Sequence, residues 1–194
     1  MRKLVFATNN QHKLKEVAPL IKKQFDLVSL SDINCFEEIE EPHDNLKDNA
    51  FEKARFVYNT YHYDSFADDT GLEIDALDGR PGVYSARYAG EGCSFQDNVK
   101  KVLQEMQNKK IRTARFRTVV ALIINGKEYS FDGVVEGEII DHPEAGIEGF
   151  GYDPIFRPTG YDKTFAQISL EEKNKISHRG IASRKLIAFL NSFE

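Results

Sequence analysis

The sequence predicts an α/β fold, and three observations predict it. Short apolar runs alternate with stretches whose apolar residues recur at helical spacing. Asn125-Gly126, a strong hairpin signal, separates two runs that alternate in polarity, so helix-linked strands are joined by an antiparallel pair. The length of 194 residues, with 41 % hydrophobic and 29 % charged side chains, fits one α/β domain or two small lobes.

Residues 2–7 read as a buried first strand. Thr8, Asn9 and Asn10 then supply helix-capping chemistry, and Leu14, Val17, Ala18, Ile21 and Phe25 follow at helical spacing. Pro19 falls inside that pattern and is expected to kink or shorten the helix. The helix N-terminus, with its unpaired N–H groups, is a natural anion seat, and Lys13 stands one turn in. The same residues also suit a plain N-cap beside a solvated lysine. Residues 26–30 form a second strand, followed by the acidic loop Glu37-Glu38-Ile39-Glu40-Glu41-Pro42-His43-Asp44. Acidic runs are usually solvated, but a carboxylate held rigid before proline can serve as an oxygen ligand to a hard cation. Residues 45–61 place Leu46, Ala50, Ala54, Val57, Tyr58 and Tyr61 on one face of an amphipathic helix.

The stretch Phe66-Ala67-Asp68-Asp69-Thr70-Gly71-Leu72 reads as a strand that runs into a tight glycine turn and out again, with acids at the bend. Neighbouring strand residues face opposite ways, so one cleft receives only one of Asp68 and Asp69 unless the bend re-aims the other. Burying both needs a cation. A solvated Asp-Gly turn is the plain alternative. Residues 78–88 form a loop too rich in Gly, Pro and aromatic residues to be a mere connector. Residues 94–106 are helical, with Ser94 and Asp97 as a capping pair, and residues 115–124 and 127–135 are the arms of the hairpin. In Gly149-Phe150-Gly151-Tyr152-Asp153-Pro154-Ile155-Phe156, glycines around an aromatic allow close approach to a flat ligand, or make a tight loop with core aromatics. Ser169 to Glu172 opens a short helix bearing Lys173, and Ser177-His178-Arg179-Gly180 precedes a last amphipathic helix.

A net charge of −5 argues against broad nucleic-acid binding, so an anionic ligand needs local cations or a metal. No apolar run is long enough to span a bilayer, and no signal peptide precedes the first strand, so a cytoplasmic location is expected. Cys35 and Cys93 lack metal-ligand spacing and are expected to be free thiols. An anion seat, an acidic site, a stacking loop and a late Lys/His/Arg cluster together fit a nucleoside phosphate with Mg²⁺.

Several motifs occur in order: Thr8-Asn9-x-x-x-Lys13-x-x-Glu16, Ala67-Asp68-Asp69-Thr70-Gly71-Leu72, Pro81-Gly82-x-Tyr84-Ser85-Ala86-Arg87, Phe150 to Phe156, Glu172-Lys173-Asn174 and Ser177-His178-Arg179-Gly180. The set resembles the inosine-triphosphate pyrophosphatase family, nearest its bacterial dITP/XTP pyrophosphatase branch. The resemblance implies an elongated mixed β-sheet with flanking helices, and two lobes of one domain (residues 1–194) around a central nucleotide cleft. It implies a homodimer that hydrolyses ITP, dITP and XTP to the monophosphate and pyrophosphate with Mg²⁺. Carried over, Thr8, Asn9, Asn10, Gln11, His12 and Lys13 would hold the triphosphate, with Lys13 its main cation. Glu41 and Asp69 would hold the metal, and Asp69 would accept the proton. Thr70 would touch substrate; Phe150, Gly151, Tyr152 and Asp153 would line the base pocket; Lys173, His178 and Arg179 would contact the base side. Arg179 is expected to reward a 6-oxo purine and to leave adenine facing an unpaired charge. Asp68 stays open as a partner base or a second ligand through water, and Glu40 stays open beside Glu41. Asn10-Gln11 and Pro42-His43-Asp44 depart from the family's commonest pattern.

Overall fold

The computed structural model describes residues 2–21, 25–146 and 150–192. Gly149 of the expected stacking loop lies outside them. The chain divides into two compact units, the first formed by Met1–Asp69, Thr118–Gly133 and Arg179–Glu194, the second by Thr70–Arg117 and Val134–His178.

In the first unit β1 (Arg2–Phe6) pairs in parallel with β2 (Phe25–Ser29) and with the start of β3 (Ser65–Ile74). The pleat sends Leu4, Phe6 and Phe66 to one face, where they pack with Val17 and Ile21 of α1 (Gln11–Ile21) and Leu186 and Leu190 of α5 (His178–Asn191). Val5, Ala7 and Ala67 go to the other face, against Ala50, Ala54 and Val57 of α2 (Leu46–Tyr61). The Phe6 and Phe66 rings stack at 4.5 Å and are fully buried, so Phe66→Ala is expected to cost about 3–5 kcal/mol. Phe25, expected to extend the first helix, instead opens β2. The last helix starts earlier than expected and takes in His178 and Arg179.

The acidic dipeptide sits in no turn. β3 runs unbroken for ten residues from Ser65 to Ile74, and the expected glycine bend at Gly71 is absent. Gly71 serves a close approach: a Cβ there would lie 2.7 Å from the carbonyl oxygen of Gly82, in the short strand β4 (Pro81–Gly82) that pairs with β3. The glycine removes a side chain between two backbones, and does not reverse the chain.

β5 (Thr113–Ile124) and β6 (Lys127–Ile139) form the expected hairpin. Asn125 (φ 51°) and Gly126 (φ 73°) both take left-handed backbone, as a type I′ turn requires. From Val119 to Ile124 the strand is continuously buried because both its faces are covered. In the second unit, α3 (Phe95–Glu105) begins with the Ser94/Asp97 capping box, α4 (Leu170–Ile176) is capped by Ser169, and β7 (Phe156–Pro158) pairs antiparallel with β6. Its core gathers Leu72, Ile74, Val102, Met106, Phe116, Phe156 and Phe165. Among the described residues the sheet is mixed, in the order β2-β1-β3-β5-β6-β7, with β4 on β3.

Candidate active site

Continuous pleating of β3 fixes the directions of the two acids. Phe66 and Asp68 face α1 and α5; Ala67 and Asp69 face α2. On the first side, the Lys13 ammonium lies 2.9 Å from Asp68 Oδ1 and also reaches the Asp68 carbonyl. Arg179 donates from Nε to Asp68 Oδ2 at 2.9 Å, and its Nη1 donates to Glu16. Glu16, Asp68 and Arg179 are all buried, and Glu16 lies three residues after Lys13 on α1. The four side chains therefore alternate in charge, Lys13 to Asp68 to Arg179 to Glu16, and the α1 backbone closes the ring. Burial pushes the Asp68 carboxyl up, but Lys13, Arg179 and Lys53 outweigh it and hold the group well below the usual carboxylate range. Burial brings the Lys13 ammonium down, only partly countered by Asp68.

On the second side stands Lys53, a residue that sequence reasoning missed. Its ammonium is hydrogen-bonded to Glu41 Oε1 and lies 3.9 Å from Asp69 Oδ1, so one cation draws together carboxylates from the acidic loop and from β3. Burial alone would lower the Lys53 ammonium, but Asp69 and Glu41 carry it above its usual range. Asp69 is pushed up by burial and by Glu41 and Asp68, against the pull of Lys53 and Lys13. Asn49, one turn earlier on α2, donates from Nδ2 to Asp69 Oδ2 at 3.4 Å. The signal for both residues is in the sequence: Asn49 and Lys53 fall at positions i and i+4 on the apolar stripe of α2, beside Ala50 and Ala54, where a polar side chain needs a reason.

The expected anion seat is partly engaged by the chain itself. Asn10 Oδ1 accepts from the N–H groups of His12 (3.0 Å) and Lys13 (3.4 Å), and Thr8 Oγ1 accepts from the Asn10 N–H. Asn9, Gln11 and His12 follow at the same helix start, and Gln11 and His12 are exposed.

Thr70, Phe150, Gly151, Tyr152, Asp153, Lys173 and His178 belong to the second unit. Lys173 is buried, 2.7 Å from Asp153 Oδ2, with its ammonium over the Phe150 and Phe165 rings at 5.0 and 5.6 Å. Asp153 also accepts from the Phe150 N–H at 2.8 Å, which ties the aromatic to the buried pair. Gly151 takes left-handed backbone (φ 64°), and the Tyr152 hydroxyl donates to the Ser85 carbonyl. The His178 ring stacks on Phe116 at 4.6 Å and is 3 % exposed. Arg179, expected on the base side, has its guanidinium engaged by Glu16 and Asp68 within the first unit and is 2 % exposed.

Among the described residues no group of three His, Cys, Asp or Glu side chains is placed to hold a metal ion, and no helix is long and apolar enough to cross a membrane.

Comparison with known proteins matches residues 4–189 to the Ham1 family. A relative from Christiangramia forsetii named dITP/XTP pyrophosphatase is 52 % identical, over 97 % of this chain and 99 % of its own. One of the same name from Bacillus subtilis is 46 % identical, over 99 % and 98 %. Among solved structures, the Staphylococcus aureus Ham1 protein superposes with a TM-score of 0.91 at 38 % identity, covering 100 % of both chains. The likeness drawn from the ordered motifs is thus borne out: the chain belongs to the Ham1 family.

Proposed function

We propose that this chain hydrolyses the noncanonical purine nucleotides ITP, dITP and XTP to the monophosphate and pyrophosphate, removing them from the nucleotide pool with the help of Mg²⁺. Full-length relatives named dITP/XTP pyrophosphatase support the reaction. The observation that carries it is the division of Asp68 and Asp69 between the two faces of β3, each with its own cations.

Glu41 and Asp69 are the residues that would hold a divalent ion. Both offer hard oxygen donors, and both already converge on one positive centre, the Lys53 ammonium, which is the electrostatic demand such an ion makes. When bound, Mg²⁺ would neutralise charge gathering on the pyrophosphate leaving group. Two carboxylates suffice, since Mg²⁺ commonly completes its shell with phosphate oxygens and water.

The chain's own residues divide the remaining work. Lys13, near the N-terminus of α1 and beside Thr8 to His12, binds the triphosphate. Asp69 takes the proton from the water whose oxygen bonds to the α-phosphorus, as the bond from that phosphorus to the bridging oxygen breaks and pyrophosphate departs. Asp69 is assigned this role because its carboxylate shares the single Lys53 ammonium with Glu41, whereas Asp68 is engaged by both Lys13 and Arg179. Asp68 is therefore assigned to positioning Lys13, and Glu41 is preferred to Glu40 because it is the acid paired with Lys53. Charge stabilisation is the larger demand in phosphoryl transfer, and Lys13 and Lys53 supply it from fixed positions.

The base is assigned to the second unit, with Phe150 stacking on the purine and Gly151, Tyr152, Asp153, Lys173, His178 and Thr70 shaping its surroundings. The two units work as lobes of one domain, as a cytoplasmic homodimer.

Pyrophosphate release from ITP, dITP, XTP, GTP and ATP, with and without Mg²⁺, tests the reading. Strong release from the first three that needs the metal is expected. Equal turnover of ATP, or metal-independent release, would overturn it.

A further inference from the structure

We propose that Asn49 is a positioning residue that sets the spacing of the Glu41 and Asp69 carboxylates for their divalent cation, an inference that rests on the metal assignment above. Asn49 is 1 % exposed, on the inward face of α2. Its carboxamide closes a two-bond ring with one residue of the acidic loop: Oδ1 accepts from the His43 N–H at 2.9 Å, and Nδ2 donates to the His43 carbonyl at 3.0 Å. The same Nδ2 reaches Asp69 Oδ2 at 3.4 Å. One planar group thus ties the loop to the strand.

The tie acts close to Glu41. Only Pro42, with its fixed φ, separates Glu41 from the clamped His43, so a shift of His43 passes directly to the acid. Residues 38–43 lie in neither helix nor strand, and the Asn49 carboxamide supplies two hydrogen bonds to this stretch at His43. Lys53, four residues along the same helix, grips the Glu41 carboxylate itself. α2 therefore holds the loop at two points, by its backbone through Asn49 and by its charge through Lys53.

Asn49 is not itself a ligand. Its oxygen is engaged by the His43 N–H, and its nitrogen carries protons and points at acceptors. Groups that orient metal ligands from behind typically contribute about 10–100-fold to metal affinity. Truncating Asn49 is thus expected to loosen the ion while leaving the nucleotide contacts in place.

The experiment uses the full chain and reads two quantities: the Mg²⁺ concentration that half-activates pyrophosphate release from ITP, and Mn²⁺ binding without nucleotide, followed by the paramagnetic resonance of the free ion. Asn49→Ala, and the milder Asn49→Ser should the first misfold, are expected to raise the half-activating Mg²⁺ concentration and the Mn²⁺ dissociation constant by about tenfold each, equivalent to about 1.4 kcal/mol. The KM for ITP at saturating Mg²⁺ is expected to stay within about twofold, which a general loss of structure would not allow. Wild-type metal dependence in a folded Asn49 variant, or a rise in KM alone, would overturn the proposal. Glu41→Gln separates the layers. If it weakens Mn²⁺ binding and the Asn49 variants do not, only the role of Asn49 falls; if it leaves metal binding unchanged, the assignment of Glu41 falls and that of Asn49 with it.

Discussion

The two faces of β3 at residues 68 and 69 present the same side chain in opposite environments. Asp68 looks toward α1 and α5 and meets two cations, Lys13 at 2.9 Å and Arg179 at 2.9 Å. Asp69 looks toward α2, where Lys53 lies 3.9 Å away and is shared with Glu41. The balance of charge differs accordingly, so the first carboxyl is held down and the second pushed up. One residue step along a strand thus separates a carboxylate anchored by two cations from one that shares a single cation with a second acid. β3 runs through both acids and on through Gly71 without a break, which keeps that alternation.

The largest expected effect tests the reactive side of this contrast. Asp69→Asn should reduce turnover by about 10³-fold or more, on the scale of removing a principal catalytic group, with the melting temperature little changed. Steady-state rates on ITP together with a thermal melt decide it, and near wild-type turnover would remove Asp69 from the chemistry. Arg179→Ala strikes the anchored side. Leaving Glu16 and Asp68 buried without their shared cation should cost about 3–5 kcal/mol in stability, read from denaturant unfolding. A loss confined to discrimination between ITP and ATP would instead return Arg179 to base recognition. Lys13→Ala should raise the KM for ITP by about 10–100-fold, the scale of one lost charge-assisted contact, as seen in a substrate titration. The smallest effect lies in the second unit, at the start of α3. The Ser94 hydroxyl and N–H bonds hold the Asp97 carboxyl below its ordinary value. A depressed carboxyl adds stability above its unfolded pKa and loses it as pH falls through the folded one. The stability gap between the wild type and Asp97→Asn should therefore close only in the acid range below the ordinary aspartate pKa, as melts at a series of pH values would show.

Local chemistry was readable wherever one residue type answers one backbone demand. Asn125-Gly126 announced a hairpin, Ser94 and Asp97 a cap, and the apolar periodicity a helix over residues 45–61, found at Leu46–Tyr61. The acids were also readable, since Asp68, Asp69 and Glu41 stand in recognisable positions. Gly71 misled because a glycine after two aspartates is ordinary turn chemistry, and the reason for it, the Gly82 carbonyl, comes from a segment eleven residues away. The ion pairs of Arg179 were hidden for a related reason. Its partners Glu16 and Asp68 are distant in sequence and meet it only through tertiary packing. Lys53 and Asn49 were visible as polar interruptions of an apolar stripe, but a single lysine on a helix also reads as a snorkelling surface residue, and only burial distinguishes the two.

Lys53 has a consequence for how such a protein can be kept in a cell. A carboxylate pair that brings its own counterion has no need of imported charge to stay assembled, unlike small zinc domains that unravel once stripped. Chelation should then silence catalysis yet leave the melting curve where it was, and returning Mg²⁺ should restore full activity at once, with no refolding lag. The chain would endure scarcity as a dormant, intact reserve.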